Sequence, residues 1–509
     1  MITRLVRHEV LSFFRTPLAA IFTVAMPVLM MVIVGAAVGN QTVDPATGVR
    51  VMQFVVPVMT VFGVAQGCFG ALTLHLADLR DRGWLKRLRG TPVPAWAVLA
   101  GLAGSVLVIS VITVVLLLGV GLVFYDLQIV WRTLPALLVT LLLGALTFTA
   151  LGFGVVALVR SSAAVQLLGT GLLLALAFIS DVILVGGKLP AWLDTVGWIF
   201  PLRHMANAVR DCFNPYLTGA GWSADHLAVL AAWGAGGAAV ALWRFRWERR
   251  PGRQAAVRVS RRRGVGRSVL LDQTAHALTG LRREPATVFF TVALPVLLFA
   301  LVSLIFQGAI VNGVDLPVFM LAAMITYTVG AACYLNLAEA LAGDREKGVR
   351  KRLAGTPLPR WAYYGGRLAG ALLVTAATAV VLGVVAGLGY GVTVTFGALP
   401  GLTAAIAIGA ACFASLGVLV GELASKQQVA NAVALGTFLP LAFVSDVFVI
   451  GGPLPGVLQS VGDVFPIKHV SHALLSALTG GPWPWADLAV VAAWTAVAVI
   501  VLRWRRSHA

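Results

Sequence analysis

The sequence predicts an all-α polytopic membrane protein: two parallel repeats of six transmembrane helices, twelve in total, with no large soluble domain. Three observations carry this prediction: the apolar bulk of the chain, an internal repeat at a fixed offset, and the confinement of basic residues to one side. Of 509 residues, 59% are hydrophobic and 11% charged, and the mean hydropathy is +0.92. Soluble domains are about 45–50% apolar and about 25% charged, so no water-soluble fold hides this much apolar surface. A span needs about 20 apolar residues, and twelve spans leave no stretch long enough for a large soluble domain.

The repeat fixes the organisation. RDRGWLKRLRGTPVPAW at 80–96 recurs as REKGVRKRLAGTPLPRW at 345–361, and SDVILVGGKLPAWLDTVGWIFPLRH at 180–204 recurs as SDVFVIGGPLPGVLQSVGDVFPIKH at 445–469. Both pairs are 265 residues apart, as are Cys68 and Cys333; FFRTPLAAIFTVAMP at 13–27 matches LRREPATVFFTVALP at 281–295 at an offset of 268. The domains are therefore a first six-helix repeat at 1–245, a basic linker at 246–267 and a second six-helix repeat at 268–509.

The first-repeat spans lie near 18–39, 51–77, 97–124, 133–158, 163–186 and 224–243. Those of the second lie near 286–309, 316–342, 362–390, 398–421, 427–450 and 486–502. An even number per repeat makes the repeats parallel, related by a pseudo-two-fold axis along the membrane normal. Before the first span of each repeat, TRLVRHEVLSFFRTP and SVLLDQTAHALTGLRREP mix basic and apolar residues at helical spacing, as interfacial amphipathic helices do. The N-terminus lacks the short apolar core and small-residue cleavage site of a secretory signal.

Charge sets the orientation. The net charge is +18, and a basic chain of this kind raises the question of nucleic acid. Only six basic residues (Arg50, Arg132, Lys188, Arg203, Arg210, Lys468) fall in loops on one side, leaving 32 of the 38 on the other. That is the positive-inside pattern, so both termini and the linker are expected in the cytoplasm of a plasma membrane and nucleic acid is not a partner. The linker, with ten Arg between Arg244 and Arg267, also suits anionic lipid.

Catalytic signatures are missing: there is no P-loop, no dinucleotide fingerprint after a strand and no HExxH. No metal site, cofactor or nucleotide site of its own is expected; His469 and His472 form an HxxH, but the first repeat keeps only His204 there. Cys68, Cys212, Cys333 and Cys412 have no metal-ligand spacing, and no disulfide scaffold is expected. Gln66, His75, Asn336 and Glu339 are the sparse polar residues of the second span in each repeat. Gln66 and Asn336 are candidates to line a pathway, whereas His75 and Glu339 fall near the span ends, where snorkelling to water explains them. Gly35/Gly39, Gly63/Gly67 and Gly383/Gly387 are small-xxx-small pairs expected to bring helices close.

The two 265-shifted basic loops carry the strongest functional signal. Each holds a charged run (Arg80, Asp81, Arg82, Lys86, Arg87; Arg345, Glu346, Lys347, Lys351, Arg352), then Gly-Thr-Pro-x-Pro-x-Trp. A positive-inside turn explains the charge but not the retained acid or the matched prolines. A short, stiff, charged lever is what docking to a soluble motor protein requires. REKGVRKRLAGTPLPRW resembles the loop between the first helical pairs of type 2 ATP-binding-cassette (ABC) exporter permeases, and the FP-[LI]-[RK]-H segment is similar to that family's loop before its last helix.

The resemblance covers nearly the whole chain. It implies two fused permease halves forming one pathway without a homodimer, and loops that contact two copies of a separate ABC ATPase, which binds ATP and Mg. The implied function is export of a small hydrophobic or amphipathic compound (a drug, an antibiotic or a lipid-like molecule); the high Ala, Gly, Val and Arg usage separately points to a GC-rich bacterial genome. The family commonly has a small residue where this chain has Asp181 and Asp446, which are expected at the outer mouth. A proton- or Na⁺-coupled secondary transporter is the alternative; it would place carboxylates at mid-membrane in both repeats. A membrane-embedded enzyme lacks a catalytic cluster.

Overall fold

The computed structural model describes all residues except 1, 16–23, 46, 82, 85–86, 88–89, 91–93, 160, 181, 183–188, 245–268, 283, 446, 448–455 and 508–509. The chain divides into two compact units, Met1–Arg261 and Arg262–Ala509.

In the first unit the lead-in segment folds as α1 (Ile2–Phe14), followed by α2 (Met26–Val38), α3 (Met52–Asp81) and α4 (Ala95–Tyr125). Then come α5 (Leu134–Leu158), α6 (Ala164–Ile179), the short α7 (Ala191–Gly197), α8 (Pro201–Cys212) and α9 (Ala224–Arg244). The second unit repeats the order. It runs α10 (Val269–Arg282), α11 (Pro285–Ile305), α12 (Leu316–Glu346) and the short α13 (Val349–Ala354). It continues with α14 (Arg360–Tyr390), α15 (Leu399–Leu423), α16 (Gln427–Val444), α17 (Gly456–Val464), α18 (Pro466–Thr479) and α19 (Trp485–Ser507).

Ten described helices are long and apolar enough to span a membrane. At the two remaining expected spans, near 18–39 and 163–186, the described helices α2 and α6 are shorter. The second span is the hub of each unit. In α3 and α12, 83% and 89% of the apolar window is buried, against 33% and 22% in α4 and α14. A helix apolar on every face is a buried one: Val55, Val56, Val58, Met59 and Val61 are all buried although they point in every direction around α3. Both hubs carry a wide π turn at the same place, Gln66–Ala71 and Ala331–Leu335.

The small residues act where they face a neighbour. A Cβ on Gly35 would lie 2.7 Å from the Tyr125 hydroxyl, and one on Gly63 3.0 Å from Thr113. Gly383, by contrast, faces open space, so the Gly383/Gly387 pair does not make the helix contact expected of it. A close helix pair, α5 with α9, comes from a pattern that the small-xxx-small pairs do not include. Gly154 and Gly237 meet backbone to backbone, and a Cβ on Gly237 would lie 2.8 Å from the Leu151 amide nitrogen. The lead-in helices lie along the third spans in the same way, Leu5 over Gly101 and Ala277 over Gly370.

Two features were absent from the sequence reading. Short antiparallel hairpins, β1 (Thr42–Asp44) with β2 (Val49–Arg50) and β3 (Ile310–Val311) with β4 (Val314–Asp315), join the first and second spans. Asn312 and Gly313, at φ 52° and 78°, turn the second of these. The segments before the last spans, read as plain loops, form helical hairpins whose second helix is buried in its unit. Leu202, Met205, Ala206 and Val209 of α8 are sealed against α3 and α5. Each is too short and too polar to register as a span.

Candidate functional site

At the charged end of the first unit, α3 closes on Gly83, whose φ of 67° is the left-handed turn that a side chain resists. Gly348 does the same after α12, at φ 68°. Of the residues singled out in the first loop, Arg82 and Lys86 lie outside the described residues. Asp81 and Arg87 are exposed. Arg80 is not: it is 8% exposed, and its Nη1 donates to the carbonyls of Val156 and Val159 at 2.8 Å each. These are orphan carbonyls at the C-terminal end of α5, where the helix dipole also favours a cation.

The second unit uses its counterpart in the same way. Arg345 Nη1 donates to the Glu422 carbonyl in the last turn of α15 at 2.8 Å. Here the end is further tied. The Glu422 carboxylate accepts from Arg350 (2.7 Å) and from the Tyr364 hydroxyl (2.8 Å), and Arg505 reaches the same carbonyl at 3.0 Å. Glu346 accepts from the Gln427 backbone amide at the start of α16 (2.9 Å), where an acid suits the helix dipole. Asp344 is held by Arg367 and by the Tyr363 hydroxyl. Lys347, Lys351 and Arg352 stay exposed. The acid of the pattern is thus used within its own unit in the second loop, and the first basic residue of each loop is turned onto a span end.

Tyr364 and Arg367 were missed because they fall inside the expected span 362–390, and Asp344 and Glu422 because they lie just past the ends of the spans 316–342 and 398–421. A lone acid directly after a span, as Glu422 is, was the available signal. Gln66 sits in the π turn of α3, and Asn336 donates to the Thr291 hydroxyl of α11 at 2.8 Å. Asp181 and Asp446 lie outside the described residues.

At the opposite end, FP-[LI]-[RK]-H has a structural logic repeated in both units. His204 Nε2 bonds the Trp198 carbonyl, and His469 Nε2 the Asp463 carbonyl, each at 2.8 Å, closing the turn between the two hairpin helices. Trp233 of α9 donates to the Ile199 carbonyl (2.9 Å) and stacks on Phe200; Trp494 of α19 donates to the Val464 carbonyl (2.7 Å) and stacks on Phe465. The last span thereby bolts the hairpin down. The histidine partners differ: His204 Nδ1 faces His226 at 3.1 Å, whereas His469 and His472 both face Asp487. No cluster of three metal-ligating side chains occurs among the described residues, and all four cysteines are buried and free.

Two family models match the chain: "ABC-2 type transporter" over residues 2–214 and "ABC-2 family transporter protein" over residues 316–504. Together they cover most of it, one on each repeat, and the chain belongs to the ABC-2 family of transporter permeases as two halves in one polypeptide. Permeases of this family work with an ABC ATPase subunit, and this chain is a multi-pass membrane protein.

The chain is 27% identical over 236 residues to the daunorubicin resistance ABC transporter permease protein DrrB1 of Streptomyces coeruleorubidus, covering 44% of this chain and 79% of that one. It is 24% identical over 166 residues to the probable multidrug ABC transporter permease YbhR of Escherichia coli, 31% of this chain and 43% of the relative. DrrB1 thus corresponds to about one half of this chain. No solved structure matches.

Proposed function

We propose that this chain is the permease subunit of an ATP-driven ABC exporter, its two halves forming one pathway that moves a hydrophobic or amphipathic compound out of the cytoplasm. The paired charged loops carry the reading. Each unit ends its central helix on a left-handed glycine, anchors the following loop through Arg80 or Arg345, and leaves Arg87 or Lys351 and Arg352 facing outward. An anchored loop with exposed cations transmits a push from a bound motor to the hub helix. Two loops imply two ATPase copies, which hold the ATP and Mg. The chain itself needs no cofactor and no second copy, and both termini lie in the cytoplasm. The printed names of DrrB1 and YbhR support a drug-like cargo. Against ion coupling, the position matching Glu339 in the first repeat is Leu74.

The test is co-expression with a P-loop ATPase encoded beside this gene. Co-purification and compound-stimulated ATP hydrolysis are expected, both lost on reversing Arg87 and Arg352 together. Full stimulation in that double variant at equal expression would overturn the docking role. Orientation is checked separately on a Cys-free background: Arg352→Cys should resist an impermeant thiol reagent in intact cells, while Arg132→Cys reacts.

A further inference from the structure

Beneath the lead-in helix of the second unit lies a half-open cavity of about 260 Å³, lined by α10, the start of α11, the charged half of α12, α14 and the first turn of α16. Exposed His276, Glu284 and Lys347 form its rim, and Asn336, Glu339 and Asp344 line it from α12. Asp344 is neutralised by Arg367. Glu339 is not: it accepts from the neutral Gln427 amide at 2.9 Å, and among the described residues no cation lies within ion-pair distance of it. A half-buried carboxylate in a membrane span without a counter-ion is costly, and a cation that enters beside it recovers that cost. Leu337, Ala340 and Val374 supply apolar wall beside these groups. At this volume the cavity suits a head group and its first carbons rather than a whole drug-sized body, since drug sites start at about 300 Å³.

We propose that this cavity binds the ammonium head of an amphipathic cation, with Glu339 as counter-ion and Leu337, Ala340 and Val374 against the adjoining alkyl carbons. The site belongs to one unit only. The residues 265 positions earlier than Glu339, Asp344 and Arg367 are Leu74, Leu79 and Leu102, so the first repeat carries leucine at each of these three positions. The two fused halves have thus diverged at equivalent places: the second keeps Glu339, Asp344 and Arg367, whereas the first has leucines there and pairs His75 with Glu9 of its lead-in helix at 3.3 Å. The ammonium group belongs either to an exported compound or to a zwitterionic lipid. The proposal deepens the export reading by naming a charge class for its cargo. It is tested by binding to the permease alone, so it fails or stands independently of transport.

The full chain is placed in nanodiscs of phosphatidylglycerol and titrated with a dansyl-tagged decyl-trimethylammonium, and separately with its uncharged decanol analogue, by fluorescence anisotropy. Glu339→Gln is expected to weaken the cation about tenfold or more while shifting the neutral analogue less than about twofold. Glu339→Asp is expected to retain the preference, which separates lost charge from a damaged fold. Equal binding of cation and neutral analogue by the native protein, or equal loss of both in Glu339→Gln, would overturn the proposal. Phosphatidylethanolamine in the nanodiscs decides the source. Displacement of the probe assigns the site to a lipid ammonium, and undiminished binding assigns it to an exported compound; both keep the ammonium chemistry.

Discussion

Arg80→Met separates an anchoring role for the first basic residue of the loop from a docking role. The native guanidinium makes two hydrogen bonds of 2.8 Å to the last carbonyls of α5 from an 8% exposed position. Hydrogen bonds to a charged group are worth about 1.5–3 kcal/mol each, and the two share one nitrogen, so the loss is about 2–4 kcal/mol. Methionine keeps most of the length and apolar contact of the stem, which leaves the bonds as the main change. Unfolding of the purified full chain with SDS in mixed micelles, followed by tryptophan fluorescence, reads this loss as a lower SDS midpoint. Arg87→Ala, at an exposed site, is expected to move the midpoint by no more than about 0.5 kcal/mol in stability. If Arg80→Met unfolds at the native midpoint while stimulated ATP hydrolysis is lost, the anchoring argument is wrong and Arg80 acts on the partner. The same logic makes Arg80→Glu a poor test of docking, since a carboxylate against two carbonyl oxygens disrupts the unit by itself.

Gly237→Val places a Cβ against the backbone of Leu151 and is expected to cost about 1–3 kcal/mol in the SDS assay, whereas Gly383→Val, facing open space, leaves the midpoint unchanged. Trp233→Phe and Trp494→Phe keep the stack but lose one hydrogen bond each, worth about 1 kcal/mol, and should raise the rate of limited proteolysis at the two helical hairpins. The hydrogen bond from Lys468 at 2.7 Å holds the Asp463 carboxyl below its ordinary range, against a small opposing effect of burial; the nearby lysine and histidine charges add to the lowering. With the folded value depressed, the stabilisation is full above the ordinary carboxyl value near about 3.9 and is lost as pH falls through the folded value. Carboxyl NMR of Lys468→Met should show Asp463 titrating higher than in the native protein.

The architecture was legible because the membrane simplifies the problem. In lipid a spanning segment satisfies its backbone internally, so apolar length alone marks a helix, and a 265-residue offset marks its counterpart. Ten spans lie where composition puts them, and both lead-in segments are helical. The hairpins α7–α8 and α17–α18 were not legible, because a short helix buried by its neighbours carries polar residues such as His204 and His469 that no hydropathy pattern accounts for. Only their bonds to the Trp198 and Asp463 carbonyls do.

The charged loops show the same boundary at the level of single residues. The sequence by itself determined that two matched basic segments follow the two hub helices, since charge and turn chemistry are local properties of the chain. Which of those charges remain available was decided by the tertiary structure alone. Arg80 and Arg345 are drawn onto carbonyls 76 and 77 residues further along the chain, and Glu346 onto an amide 81 residues away. Those partners are ordinary backbone groups, identical in every sequence until a helix end leaves them unsatisfied beside the loop. Folding creates the partner, so the pairing has no signature in the residues that make it.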